Sequence, residues 1–490
     1  MTSHHSPITP RPAAATTHHS PLTTHQIRIG NGCGFWGDNL DAPILLAQQG
    51  RLDYLTMDYL AELTMSILAL QKLRDPQAGF ATDFLDVLER LTPILRDQPA
   101  LKVVTNAGGM NPIGCATKAK EILKKAGLDN RRVATVTGDD LFPRLDELLS
   151  QGHAMANMDT GEPLSTVRSR VVSANAYVGA KPIADALKLG ASVVITGRVA
   201  DASLTVGPAA HEFGWAWDDW DRLSSGTVAG HLIECGAQVT GGLWCNWQEA
   251  PDLANVGYPI VEIEPSGLFR VTKPPNTGGR VNHETVAEQL LYEVGDPAAY
   301  LTPDVTADFT SVSLAENETD IVEVTAARGR PATDSYKVSI AYRDGFTASG
   351  TLVVFGSDAN IKALRCGEII LDRVKRAGWD LEHKNIERLG AGDCMTGVSP
   401  AMDAPADVVS AKECHFGSRV HIHEVVLRVS ARDSRKAAVE RFTKEFAPLV
   451  TSGPPGITGY TTGRPAVREV FAYWPALVDK KVISPRVQIH

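Results

Sequence analysis

From residue 26 onward, short apolar runs rich in β-branched residues alternate with longer stretches of helical periodicity. The runs at 26–29, 52–57, 101–105, 132–137 and 191–196 read as strands, each followed by a turn signal. Between them, 42–49, 59–74, 82–96, 117–126, 141–150 and 180–189 carry helical patterns, mostly closed by glycine. This alternation predicts βα units, and hence an α/β fold with a doubly wound, mostly parallel, Rossmann-like sheet over residues 26–255. Beyond about residue 256 the pattern changes. Segments 261–272 and 337–348 each place a Ser-Gly or Asp-Gly turn between alternating positions and read as hairpins, with helical patterns following at 284–294, 360–377 and 434–450. Residues 256–490 are therefore expected to form a second, α+β domain of hairpins and packed helices.

Residues 1–25 fit neither grammar. They hold a near repeat, Thr2 to Thr9 and Thr16 to Thr23, rich in Ser, Thr, Pro and His, with no acidic residue and no apolar segment of a secretory signal. Such a segment cannot bury a face, so a disordered tail is expected. A transit peptide is the alternative, with Arg11 as its only strong base; His4, His5, His18 and His19 offer weak surface chelation at most.

Composition narrows the function classes without choosing one. A chain of 490 residues, 43% hydrophobic and 21% charged, can bury a large core without staples. No apolar run approaches the roughly 18 residues of a spanning helix. The net charge of -9 provides no general attraction to nucleic acid or an anionic membrane. Seven scattered cysteines without a CxxC pair point to reduced thiols, a cytoplasmic setting and no zinc signature.

Ligands of open parallel sheets bind beyond the carboxyl ends of the strands. Here those ends run into Gly30 to Asp38, Asp58, Asn106 to Pro112, Gly138-Asp139-Asp140 and Gly197 to Asp201. Gly32, Gly34 and Gly37 form a GxGxxG between a strand and a helix, with Asp58 where a dinucleotide fingerprint places its ribose-binding carboxylate. Trp36 and Asp38 put bulk and negative charge at the phosphate position, so general anion binding and a purely structural turn stay open. Asp38, Asp58, Asp139, Asp140 and Asp201 converge on one rim, where crowded carboxylates suit acid–base work; helix capping is the alternative. Arg198 can clamp a carboxylate or phosphate, or sit in a structural salt bridge. Asn276 to Thr285, with Gly278 and Gly279, and Gly453 to Pro465 read as anion nests that close over a ligand, or as plain turns. Cys414, His415, His421 and His423 permit chelation but supply no placed third ligand, so no metal is expected. Cys33 and Cys245 are nucleophiles only if a nearby base activates them.

Several motifs in one order carry a resemblance: Ile29 to Asp38, Leu52 to Leu55, Asp58 to Glu62, Asn106 to Pro112, Val136 to Leu141, Asn175 to Ala180, Ile195 to Ser203, Thr285 to Glu293 and Gly456 to Tyr460. The chain resembles the acyclic terpene utilisation (AtuA-like) family over residues 26–490, departing from its pattern at Gly242 to Trp247. The resemblance implies catabolism of acyclic terpenes such as citronellol and geraniol, and so branched carboxylic acid or acyl-CoA metabolism. Many members carry a further small ferredoxin-like domain; this sequence ends at His490, so a partner bearing that domain, or homo-oligomerisation, is the expected association.

Together these readings predict an enzyme, a lyase or hydratase. Arg198, Gly32, Gly34, Gly37, Asn106, Gly108, Gly109, Gly278 and Gly279 would hold a small anionic substrate or acyl-CoA, and Asp38, Asp201 or Asp139 would move a proton. A non-catalytic ligand-binding or regulatory subunit that needs a partner is the rival, and a dinucleotide-dependent oxidoreductase the second. The sequence assigns no cofactor.

Overall fold

Six short strands open the chain: β1 (Ile27–Asn31), β2 (Tyr54–Met57), β3 (Lys102–Thr105), β4 (Val133–Thr137), β5 (Val171–Ala176) and β6 (Val193–Thr196). All but β5 run parallel in the order β1-β2-β3-β6-β4. Every residue of β2 and β6 is buried, as expected of strands covered on both faces. The structure, a computed structural model, describes residues 26–391, 393, 422–459 and 463–490; the expected N-terminal tail lies outside the described residues.

The parallel core is extended by strands from the second half of the chain. β7 (Ile260–Ile263) and β8 (Phe269–Thr272) form the expected hairpin about Ser266-Gly267, with Gly267 at φ +90°. β7 then pairs antiparallel with β1, and Ile321–Val324 and Leu314–Glu318 continue beyond β8. At the other edge Arg486–Ile489 pairs antiparallel with β4. The result is a mixed ten-stranded sheet. The expected doubly wound, Rossmann-like order is not confirmed: the antiparallel β7 occupies the outer side of β1, and β6 is inserted between β3 and β4. Chain on both sides of residue 255 therefore contributes to one sheet.

A second sheet is organised around Ser335–Phe355, a single strand of 21 residues. A hairpin is expected at Asp344-Gly345, but the chain runs straight through. Gly345, at φ +90°, absorbs a bulge that shifts the pairing register with Arg468–Asp479 between Arg343 and Phe346, and Arg432 holds the Asp344 carboxylate. The first half of this strand pairs with β5 and Arg468–Asp479, the second half chiefly with Glu424–Asp433 and Ile457–Gly459.

Helices α1 (Ala42–Gln49), α2 (Glu62–Arg74), α3 (Asp83–Asp97), α4 (Pro112–Lys125), α5 (Leu145–Ser150) and α6 (Lys181–Lys188) fall where the periodicity places them. Two more do not announce themselves, α7 (Ser203–Phe213) and α8 (Trp220–Glu234). Both are buried almost all round, from Ser203 to Ala210 and from Leu223 to Ile233, so neither has a polar face to create periodicity. α9 (His283–Leu291) starts at a capping box between Asn282 and Thr285, while α10 (Ala359–Arg376) and α11 (Lys436–Thr443) pack on the second sheet through residues such as Ile370 and Phe442. Among the described residues no helix is long and apolar enough to cross a membrane.

Candidate active site

A cavity of about 940 Å³ opens beyond the carboxyl ends of β1, β2 and β6. Its far wall comes from the start of the Ser335–Phe355 strand and the Tyr300–Pro303 segment, and α8 ends on it with His231 and Glu234. At the upper end of the usual range for small-molecule sites, it mixes apolar side chains such as Phe35, Leu60 and Met158 with a dense set of ionisable groups.

His231 is buried, and both its ring nitrogens meet acceptors. Nε2 lies 2.9 Å from the Gln289 carbonyl, and Nδ1 lies 3.1 Å from Oε1 of Glu234. A carbonyl cannot donate, so Nε2 carries hydrogen, and the contact at Nδ1 requires one more proton on either the imidazole or the carboxyl. Burial pushes Glu234 up to about 7 against the pull of His231; His231 is itself raised, because Glu234 outweighs the opposing effect of burial. The pair thus retains a proton near neutrality. Glu234 Oε2 is buried and has no hydrogen-bond partner among the described residues.

Beside this pair stand Asp58, Asp201 and Arg198. Arg198 is 2% exposed, and its Nη1 donates to the Leu60 carbonyl at 2.8 Å and to Asp201 at 2.7 Å. Burial opposes its charge, but Asp201, Tyr177 and Asp58 hold it well above the ordinary arginine value. Burial raises both carboxylates; Asp201 adds to the rise of Asp58, and Arg198 restrains each. Asp58 is fixed by the Asn106 amide at 2.6 Å and the Leu60 N–H at 3.1 Å, whereas the Asp201 side chain keeps 37% exposure at the cavity. Above them the Tyr177 ring lies against Arg198 at 4.2 Å and Lys337 at 5.0 Å, and its hydroxyl donates to Glu62. Burial alone would raise Glu62; that hydrogen bond and the Arg198 charge hold it below the usual carboxylate range.

Of the residues expected to act, Asp38, Asp201, Arg198 and Gly34 line the cavity, and Asp58 joins them. The Asp38 carboxylate is committed to its own loop, accepting from the Gly34 and Asn39 N–H groups and the Tyr258 hydroxyl at 2.6–2.8 Å. Asp139 lies behind the wall: Oδ2 accepts from Arg198 N–H and the Asn175 amide, fixing the turn after β6. Asp140 caps Phe142 N–H.

The glycines approach protein. A side chain on Gly32 would meet Pro43 at 2.7 Å, one on Gly34 the Cys235 backbone at 2.8 Å, and one on Gly108 the Thr196 carbonyl at 2.5 Å. Side chains on Gly278 and Gly279 would come closer still to the Asp252 and Thr240 carbonyls, and Gly37 and Gly109 turn the chain at positive φ. Asn106 bridges Asp58 and the Tyr59 N–H. None of Gly32, Gly37, Asn106, Gly108, Gly109, Gly278 or Gly279 is among the residues that line the cavity. The loop after β1 instead serves α8: Asn31 directs its amide at the Ile233 and Glu234 carbonyls, 2.8 and 2.9 Å away, and so closes the helix end that carries Glu234.

The sequence reading missed Glu62, Tyr177, His231, Glu234 and Lys337. Glu62 and Tyr177 stand in quoted motifs and could have been found as the ionisable positions just after β2 and β5; His231 and Glu234 depend on a helix without periodicity. Cys394, Cys414, His415 and His421 lie outside the described residues, as does part of Gly453 to Pro465.

A family model described as "Acyclic terpene utilisation family protein AtuA" matches residues 27–489. No curated protein and no solved structure matches the chain.

Proposed function

The chain belongs to the acyclic terpene utilisation (AtuA) family, and on that footing we propose that its cavity is the active site of a lyase or hydratase acting on branched acyclic carboxylic acids or their thioesters. The observation that carries the proposal is the 3.1 Å contact of His231 Nδ1 with Glu234, with Nε2 committed to the Gln289 carbonyl, at a cavity that Asp201 also lines. An acid and a base of this kind are what removal of water from a β-hydroxy acyl chain requires.

In that direction Asp201 takes the proton from the carbon next to the carbonyl, and the electron pair of the broken C–H bond forms the double bond. The C–O bond breaks as Glu234 passes its proton to the departing hydroxyl, which leaves as water. In the reverse direction Glu234 receives the proton of the attacking water and Asp201 returns its own to carbon. Asp58 and Arg198 set the charge that Asp201 feels. Positioned acid–base groups contribute about 10²–10⁴ in rate each, so Glu234→Gln should lose that much and still bind ligand.

The reaction is tested by incubating the protein with branched β-hydroxy acids, enoates and their thioesters in D₂O and in H₂¹⁸O. Deuterium at the α-carbon and ¹⁸O at the β-carbon support the reading. Incorporation of neither label across the panel counts against it.

A further inference from the structure

Two basic side chains, Arg198 and Lys337, are among the residues lining the cavity, and they differ in what they can offer a ligand. Arg198 is 2% exposed, and its Nη1 is divided between Leu60 and Asp201. Its Nε is buried without a hydrogen-bond partner among the described residues, so little of the group reaches the open cavity. The Lys337 side chain is 44% exposed, and its nearest carboxylate oxygen, on Glu62, is 3.7 Å away, beyond hydrogen-bond distance. That same oxygen already takes the Tyr177 hydroxyl proton. The ammonium rests 5.0 Å from the Tyr177 ring centre and 5.7 Å from that of Tyr473, whose phenol also interacts with it. Aromatic faces hold a cation without consuming its three donors.

The backbone beneath is fixed. The Lys337 carbonyl accepts from Tyr177 N–H at 2.9 Å, and the residue pairs with Leu477 across the sheet. The remaining ionisable wall is rich in carboxyl groups, Asp58, Asp201 and Glu234 among them, which offer an anion no counter-charge. Among the described residues of the lining, Lys337 is therefore the more accessible of the two basic seats for an amphipathic anion.

We propose that Lys337 is the specificity-determining residue of this cavity, selecting ligands that carry a free carboxylate by binding that group on the second-sheet wall beside Tyr177. This rests on reading the cavity as the substrate site and narrows its ligands to the free acids. Because Asp201 and Lys337 lie within electrostatic range of each other, a carboxylate seated there brings the adjoining carbons toward the Asp201 carboxyl group.

The test compares two probes with the same branched chain, citronellate and citronellol, by isothermal titration at pH 7.5 on the full chain, on Lys337→Met and on Lys337→Arg. Wild type should bind the acid at least tenfold more tightly than the alcohol; Lys337→Met should lose that preference while keeping its affinity for the alcohol, and Lys337→Arg should retain it. Melting curves confirm folding, and the partly exposed lysine stem is matched by methionine. Equal affinity of wild type for both probes, an unchanged preference in Lys337→Met, or no binding of either probe overturns the inference. Binding needs no turnover, so a carboxylate preference in a protein that incorporates neither isotope would leave Lys337 in its role while removing the hydratase reading.

Discussion

Nδ1 of His231 and Oε1 of Glu234, one turn apart near the end of α8, meet at 3.1 Å while the opposite ring nitrogen is held by the Gln289 carbonyl. The relationship fixes the tautomer from one side and leaves a mobile proton on the other. Since burial raises Glu234 to about 7 against the downward pull of His231, the two residues set each other's working range.

The first prediction concerns the direction that uses Glu234 as an acid. Its rate should fall about tenfold per unit above about pH 7, because the protonated carboxyl is lost there, and fall again at acid pH, where Asp201 takes up a proton and can no longer act as the base. His231→Asn removes the group that lowers Glu234, so the falling limb should move to higher pH. A pH profile of kcat/KM decides the point; a limb that stays in place excludes the coupling.

Asp139 ties stability to pH with the opposite sign from a carboxylate held ionised by an ion pair. Burial raises it from 3.8 to about 6 in the folded protein, so its protonated form is favoured by folding. The stability it contributes is present at acid pH and is lost as pH rises from about 4 through about 6, by about 3 kcal/mol at most. Unfolding free energies of wild type relative to Asp139→Asn should decline over that window and level off above it. A flat difference would remove the assigned cost.

Arg198 should behave as a structural charge. Arg198→Met leaves the Leu60 carbonyl unbonded and Asp58 and Asp201 without their counter-charge, at a cost of about 3–5 kcal/mol. Denaturant midpoints should show a large loss for Arg198→Met and less than about 1 kcal/mol for Lys337→Met, whose lysine is only loosely paired and partly exposed. Comparable losses would refute the distinction drawn between these two cations.

The loop after β1 should be intolerant of bulk and indifferent to dinucleotides. Gly34→Ala places a methyl group 2.8 Å from the Cys235 backbone and should cost about 1–3 kcal/mol. NAD⁺ or NADP⁺ should leave the melting temperature unchanged, whereas a bound ligand at a hundred times its Kd adds about 2.7 kcal/mol. A clear shift with either nucleotide would reopen the oxidoreductase reading.

How much of this was legible in the sequence depends on which physical signal each residue carried. The five parallel strands were readable because short, wholly buried, β-branched runs such as Val193–Thr196 are bounded by turns. Their order was not, since β7 reaches β1 across more than two hundred residues and no local pattern encodes that pairing. Asp201 and Arg198 were found through the rule that strand ends carry chemistry. The same rule over-selected the glycines: Gly32 and Gly108 are as tightly required by Pro43 and Thr196 as they would be by a phosphate, and sequence cannot tell the two apart. His231 and Glu234 were invisible because α8, buried from Leu223 to Ile233, has no amphipathic period to reveal it. Lys337 was hidden in a segment read as a hairpin, which the bulge at Gly345 converts into one continuous strand.

The central claim is that the proton on the His231–Glu234 pair does the chemistry. It is tested most directly by measuring ¹⁸O incorporation from H₂¹⁸O into a branched enoate by wild type and Glu234→Gln, with binding of citronellate to both measured in parallel. Wild type should incorporate the label, and Glu234→Gln should incorporate at least about a hundredfold less while binding within about threefold of wild type. Undiminished incorporation in Glu234→Gln would contradict the claim.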